Sequence, residues 1–319
     1  MSPILKILLL LMVSFTYSCK GAQSSKKDVS AIPAVQVVED TLPPYLFQYD
    51  FQNPDRSIYL PVALTEISGI TFDKEEKALF AIEDEDGIIY KIDLNGKVIE
   101  EYPFWKKGDY EGIILVKDTI FVVKSTGTIY KVLNLGEKTQ YVEKYNTDLS
   151  KRNDVEGVTY DLEHNSLLLA CKGKPYFEDD QNDARVKTIY EFKLDRNELI
   201  SSPRVVLNLE AIQLFLKKHP HLKNWEKFQK YFGEENDKIK LSPSAIAIHP
   251  ITGNLYVLSS SKKLILILDS DNNILHIEKL IKKNNLQPEG ITFSKNGDLF
   301  ISNEGKDLKA TIHKYSYKN

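Results

Sequence analysis

The chain has 319 residues and a mass of 36.5 kDa, with 42 Lys and Arg against 45 Asp and Glu and a formal charge of −3. With 42% hydrophobic and 27% charged residues it has the composition of a folded protein. The near-neutral balance leaves no electrostatic footprint for a nucleic-acid partner, and two cysteines exclude a disulfide framework or a Cys-rich zinc site.

Residues 1–18 have the layout of a signal peptide. Lys6 supplies the positive charge, and the apolar run 7–13, extended by Phe15, is too short to span a bilayer permanently. Ser18 and Cys19 follow it directly and resemble the lipobox of bacterial lipoproteins, with Tyr17 departing from the tighter form of that motif. The expectation is cleavage before Cys19, lipidation of its thiol and anchoring to a membrane of the bacterial cell envelope. An ordinary secreted protein cut near the same place is the alternative. Residues 19–44 carry Ser, Lys and Pro without periodicity and read as a tether, with an r.m.s. reach of roughly 25–30 Å. Cys171 lies in an apolar run and reads as a buried structural thiol.

From residue 67 onward the chain repeats itself. Five strand starts share one pattern: ISGITF (67–72), YEGII (110–114), VEGVTY (155–160), PSAIAI (243–248) and PEGITF (288–293). Their small residues are Gly69, Gly112, Gly157, Ala245 and Gly290, spaced 43–45 residues apart with one gap of 88. A fixed period in this range marks a repeat architecture. In each unit a second and a third apolar strand follow after turn residues, and a weaker fourth follows in four of them. Four strands per 40–45 residues is a β-propeller blade. The long gap holds one blade plus a loop (173–187) and a helical insertion (about 208–233). The prediction is an all-β, five-bladed propeller over 45–319. The last unit ends at its third strand, and the strand-like segment 45–51 (YLFQYDF) is expected to supply its fourth.

Adjacent strands of a blade are antiparallel, so the starts of the first strands and the ends of the second strands meet at one mouth of the central channel. This places Ser68, Glu111, Glu156, Ser244 and Glu289 there, joined by Glu83, Lys124, Lys172, Asn303 and Glu304. Both insertions emerge on the same face. In the second, Leu209, Ile212 and Phe215, then Leu222, Trp225, Phe228 and Phe232, fall at helical spacing, with Pro220 between and Gly233 as a stop. Two short helices either cap the blade tops or lie across the mouth. Tyr176, Phe177, Trp225 and Tyr231 are candidates for an exposed patch that takes a protein or small-molecule ligand.

Carboxylates aimed into one mouth repel one another and need compensation. Two readings stay open: a network with Lys124 and Lys172, or a hard cation such as calcium held by carboxylate, carbonyl and hydroxyl oxygens. The segment 269–273 (DSDNN) opens like a calcium-binding EF-hand loop, but its sixth position is Ile274 and its twelfth Leu280. Of the histidines, only His219 and His221 are placed to reach the mouth, so no general base is evident.

The Glu-Gly-Ile and Ser-Gly-Ile strand starts, the five units and the lipoprotein-like N-terminus resemble the SdiA-regulated (YjiK-type) family of bacterial propellers, related to NHL-like repeats. The resemblance covers about 45–319. It implies a five-bladed propeller with a calcium site and favours Glu111, Glu156 and Glu289 as its residues; Glu304, at the end of a second strand on the same mouth, is a further metal candidate by position. No settled enzymatic activity comes with it. The reading that results is a membrane-tethered binding module with calcium at the channel mouth. The alternative is a calcium-dependent hydrolase of lactones or phosphate esters.

Overall fold

The computed structural model describes residues 45–178, 182–306 and 308–318. The signal peptide, Cys19 and the whole tether, expected over 1–44, lie outside the described residues. Among the described residues no helix is long and apolar enough to cross a membrane.

In chain order, β1 (Arg56–Tyr59) is followed by the first blade, β2 (Ile67–Phe72), β3 (Ala78–Glu83), β4 (Ile88–Asp93) and β5 (Val98–Pro103). The second blade is β6 (Tyr110–Val116), β7 (Thr119–Lys124), β8 (Ile129–Leu133) and β9 (Tyr141–Tyr145). The third is β10 (Val155–Asp161), β11 (Ser166–Cys171) and β12 (Val186–Lys193), with its outer place split between β13 (Glu198–Leu199) and β14 (Val205–Asn208), both paired to β12. After α1 (Leu209–Lys218) and α2 (Trp225–Phe232) comes the fourth blade, β15 (Pro243–Ile248), β16 (Leu255–Ser259), β17 (Leu264–Leu268) and β18 (Ile274–Lys279). The fifth is β19 (Pro288–Phe293), β20 (Leu299–Asn303) and β21 (Thr311–Tyr315), completed by β1.

Sequence explains the order of strands within each blade. Second strands such as ALFAIE and SLLLAC are buried at every residue, because neighbouring blades cover both their faces. Fourth strands such as VIEEYP are exposed or half-buried throughout, as edges should be. The turn after β4 uses Gly96 at φ 88°, the left-handed conformation a tight hairpin needs.

The ring closes between the fifth blade and the first, and the closing strand is not the expected one. Arg56–Tyr59 pairs antiparallel with β21, in the register Arg56↔Lys314 to Tyr59↔Thr311. Only Ile58 of that strand is buried, so its sequence carries almost no alternation to find. The aromatic segment 45–51 does something else. Tyr49 and Phe51 are buried against the fourth and fifth blades, and Phe51 meets the Tyr315 ring edge-on at 4.7 Å. The Tyr49 hydroxyl donates to the Gly297 carbonyl at 2.6 Å. It accepts from His249 Nε2 at 2.9 Å, while His249 Nδ1 accepts from the Ile251 and Thr252 amides. These partners fix one neutral tautomer, and burial holds the imidazole down at about 4. The segment is thus a strap whose rings are spent on packing.

The innermost strands β2, β6, β10, β15 and β19 contact one another in sequence order and round to β2 again. Their glycines are what allow this. A Cβ on Gly157 would lie 2.9 Å from the Ile246 amide nitrogen and 3.0 Å from Ala245 Cα, and one on Gly69 would lie 3.0 Å from the Ile113 nitrogen. Both obstacles are backbone, which cannot swing aside. Gly157→Val should therefore wedge the third and fourth blades apart and lower the melting temperature by about 5–10 °C, the equivalent of roughly 2–3 kcal/mol of overpacking. Val62→Ala, at a side chain 88% exposed, is the control that should leave it unchanged. Thermal unfolding followed by circular dichroism checks both.

Candidate metal centre at the upper mouth of the channel

The cross-strand register shows how the mouth is built. In every blade the pairing of first and second strands slips by one residue at the same place: between 67 and 69, 110 and 112, 155 and 157, 243 and 245, and 288 and 290. The residues skipped are Ser68, Glu111, Glu156, Ser244 and Glu289. A β-bulge leaves one residue without a cross-strand partner and re-aims its side chain. Here five bulges act in concert around one axis.

The two serines and three glutamates then divide the work. Ser68 Oγ donates to the Tyr110 carbonyl at 2.8 Å, and Ser244 Oγ donates to the Pro288 carbonyl at 2.9 Å. Each serine thereby pins the residue just before the glutamate of the next blade. Glu111, Glu156 and Glu289 line one small space of about 10 Å³ together with Ser68 and the glycines, large enough for roughly one water or ion. Glu156 and Glu289 are 6% and 8% exposed, and Glu111 is half-buried.

Counter-charge is short. Lys172 Nζ lies 2.8 Å from Glu156 Oε1. Burial works against its ammonium, yet Glu156 and Glu289 hold it above its ordinary value. Lys124, the other lysine expected to compensate, sits over the Tyr110 ring at 5.7 Å. Burial, then the charges of Glu156 and Asp109, raise the Glu111 carboxyl well above the carboxylate range. Burial likewise raises Glu156, with Lys172 pulling the other way. Glu289 is pushed up to about 8 by burial and by Glu156 and Glu304. The three carboxyl groups therefore have one paired ammonium, Lys172, with Lys263 acting on Glu289 from further off, and in the absence of another cation the mouth takes up protons.

The remaining predicted residues stand around this ring and not in it. Glu83 caps its own turn, accepting from the amides of Glu85 at 3.0 Å and of Asp86. Glu304 does not line the small space; its carboxylate accepts from Gln287 Nε2. With Asp84 and Glu66 it forms a second acidic group between the fifth and first blades, where burial and those charges lift Asp84 to about 6. Asn303 is 2% exposed, and neither atom of its amide has a hydrogen-bond partner among the described residues. Asp109 and Asp154 escaped the sequence reading, although each stands two residues before a ring glutamate and adds to its field. Period-two spacing in a strand was the available signal.

The residues fit a cation in donor type and charge. Their carboxylates ring the channel without converging: among the described residues no three His, Cys, Asp or Glu side chains are gathered as ready metal ligands. Any bound cation would draw on Glu111, Glu156 and Glu289 from three different blades.

The insertion contributes packing more than chemistry. Asn208 caps α1, its Oδ1 accepting from the Ala211 amide at 2.7 Å. Leu209, Ile212, Phe215, Phe228 and Phe232 join the core between the third and fourth blades. His219 stacks on Phe215 at 4.2 Å. The four aromatics expected as an exposed patch are half-buried: Phe177 stacks on Tyr190, and Trp225 Nε1 donates to the Leu216 carbonyl at 3.0 Å.

Solved propellers resemble this architecture at low identity, which speaks for the fold alone. A glutaminyl cyclase from Myxococcus xanthus is 9% identical with a TM-score of 0.50, over 83% of this chain and 96% of that one. A luciferin-regenerating enzyme is 12% identical with a TM-score of 0.45, over 83% and 95%. A virginiamycin B lyase from Staphylococcus aureus is 16% identical with a TM-score of 0.42, over 82% and 87%. The model of the SdiA-regulated family matches residues 49–217 and 202–306, nearly the whole propeller. With the repeated strand starts and the five blades in place, the chain belongs to the SdiA-regulated family.

Proposed function

We propose that this protein is a binding module, held to a membrane of the cell envelope by lipid on Cys19, whose channel mouth takes a calcium ion on Glu111, Glu156 and Glu289. The observation that supports the ion is the deficit of counter-charge: three carboxyl groups line a space of about 10 Å³, and the ion pair made with them is that of Lys172 with Glu156. A hard cation in an all-oxygen setting is the natural complement. When bound, it would supply the positive charge that ties three innermost strands together and would release the protons held there.

One observation favours a second reading, a hydrolase of lactones or phosphate esters. A carboxyl titrating near 8, as Glu289 does, is able to move a proton at neutral pH. The small space admits no substrate, so such chemistry would have to occur at its outer rim.

Calcium in hundredfold excess over its dissociation constant should stabilise the folded protein by about 2.7 kcal/mol, which raises the melting temperature by roughly 5–10 °C. Glu156→Gln should lose this response. No rise with calcium, magnesium or manganese would leave the glutamate–lysine network as the account of the mouth. Lactone and phosphate-ester turnover that is calcium-dependent and lost in Glu289→Gln would select the hydrolase reading.

A second expectation concerns pH without metal. The folded carboxyls bind protons more tightly than the unfolded chain, so the stability they confer is full below the ordinary carboxylate range. It is lost as pH rises towards 8, the folded value of Glu289. In chelator, the melting temperature should fall between pH 5 and about 8, and Glu289→Gln should flatten that slope. A wild-type slope unchanged by the substitution would remove Glu289 from the explanation.

A further inference from the structure

Below the glutamate ring the channel changes character. Ile70, Ile113, Val158, Ile246 and Ile291, one from each blade, line both the small acidic space and a larger funnel beneath it. None is more than 6% exposed. This aliphatic collar separates the two ends. The funnel holds about 390 Å³ and opens on the lower face, within the range of small-molecule sites. Its walls are mostly apolar, with Phe72, Leu115, Tyr160, Ile248 and Phe293, and carry the hydroxyls of Thr71, Thr159 and Thr292.

The rim is charged on one side and uncharged on the other. Lys74, Lys117 and Lys295 line it from the first, second and fifth blades, which are neighbours in the ring. Asp73 and Glu76 line the same side and keep their charges, but backbone amides hold both carboxylates in place. Asp73 accepts from the amides of Lys77 at 2.8 Å and Ala78 at 3.1 Å, and Glu76 accepts from the Lys295 amide at 2.5 Å. Lys74 pairs with Asp118 at 2.8 Å, both side chains more than two-thirds exposed, a pair that exchanges readily. Lys117 and Lys295 make no ion pair among the described residues, and the Lys295 ammonium donates to the Lys74 carbonyl at 2.9 Å. The opposite rim, on the third and fourth blades, offers Tyr160, Ile248 and Pro250. Near it Leu162 and Ile251 stand 77% and 54% exposed.

We infer that the lower end of the channel binds a small amphiphilic carboxylate, with its aliphatic body in the funnel and its carboxylate against the lysine side of the rim. An apolar cavity with cationic groups on one edge orients such a molecule by both ends at once. The site is independent of the glutamate ring, because the aliphatic collar stands between them.

The test is calorimetric titration of the folded protein with hexanoate, octanoate and decanoate below their micelle concentrations. Decyltrimethylammonium serves as the cation of matched length. Affinity should rise roughly fourfold per added CH₂, and decyltrimethylammonium should bind about tenfold or more weaker than decanoate. Lys117→Glu combined with Lys295→Glu should weaken decanoate about tenfold or more with the melting temperature unchanged, both side chains being on the surface. Absence of decanoate binding would overturn the inference. So would equal binding of the two headgroups, or decanoate affinity unaffected by the double substitution. Binding to anionic vesicles without binding to monomeric decanoate would overturn it as well, assigning the face to a bilayer.

Discussion

Five strands meeting around one axis can approach only as far as their Cβ atoms permit, and the rest of this structure follows from how that limit is met. At the level of closest approach the chain places glycine four times and alanine once, so each innermost strand abuts the backbone of the next. One residue before each of them the ladder slips and a polar side chain is turned to the channel mouth. One residue after each, an aliphatic side chain closes the channel below. Three consecutive positions thus build a ring of polar groups, a tight waist and an apolar collar, repeated five times. Symmetry of backbone is used to bring dissimilar chemistry to one point.

The consequence is electrostatic. Serines occupy the mouth position in the first and fourth blades, and their hydroxyls are consumed in fastening the neighbouring strand. The other three blades carry glutamates that have no such task, and of these Glu156 alone has a lysine, Lys172, in contact among the described residues. Desolvation is the largest influence on each of these carboxyls, and mutual repulsion adds to it for Glu111 and Glu289. The same collar separates the acidic mouth from the mostly apolar funnel, so one channel holds two environments. A small hard cation is proposed for the first and an amphiphilic anion for the second.

Much of the fold was legible in the sequence because blades repeat. A spacing of 43–45 residues and a small residue at a constant place give the strands, their number and the face on which the glutamates lie. The closing strand was not legible for a physical reason. Strand composition in 45–51 reflects aromatic packing against Tyr315, His249 and Gly297, whereas the true strand, Arg56–Tyr59, buries one side chain and is recognisable only from its partner. At the site, Glu111, Glu156 and Glu289 were legible from the repeat, and so was the nearness of Lys172. The bulges were not, because a bulge exists only in the register between two strands. The departures of Lys124 towards Tyr110 and of Glu304 towards Gln287 depend on rotamer and partner, about which strand position is silent.

The three carboxyl groups at the mouth share a deficit of positive charge, which we propose a cation fills. Carbon-13 NMR titration of the glutamate carboxyls, assigned through Glu111→Gln, Glu156→Gln and Glu289→Gln, addresses it directly. In chelator, the Glu289 resonance should titrate near 8 and that of Glu111 well above the carboxylate range. With saturating calcium both should fall back into the ordinary carboxylate range, with protons released to solvent. Three carboxyls that titrate at ordinary carboxylate values in chelator, and do not respond to calcium, would contradict the account.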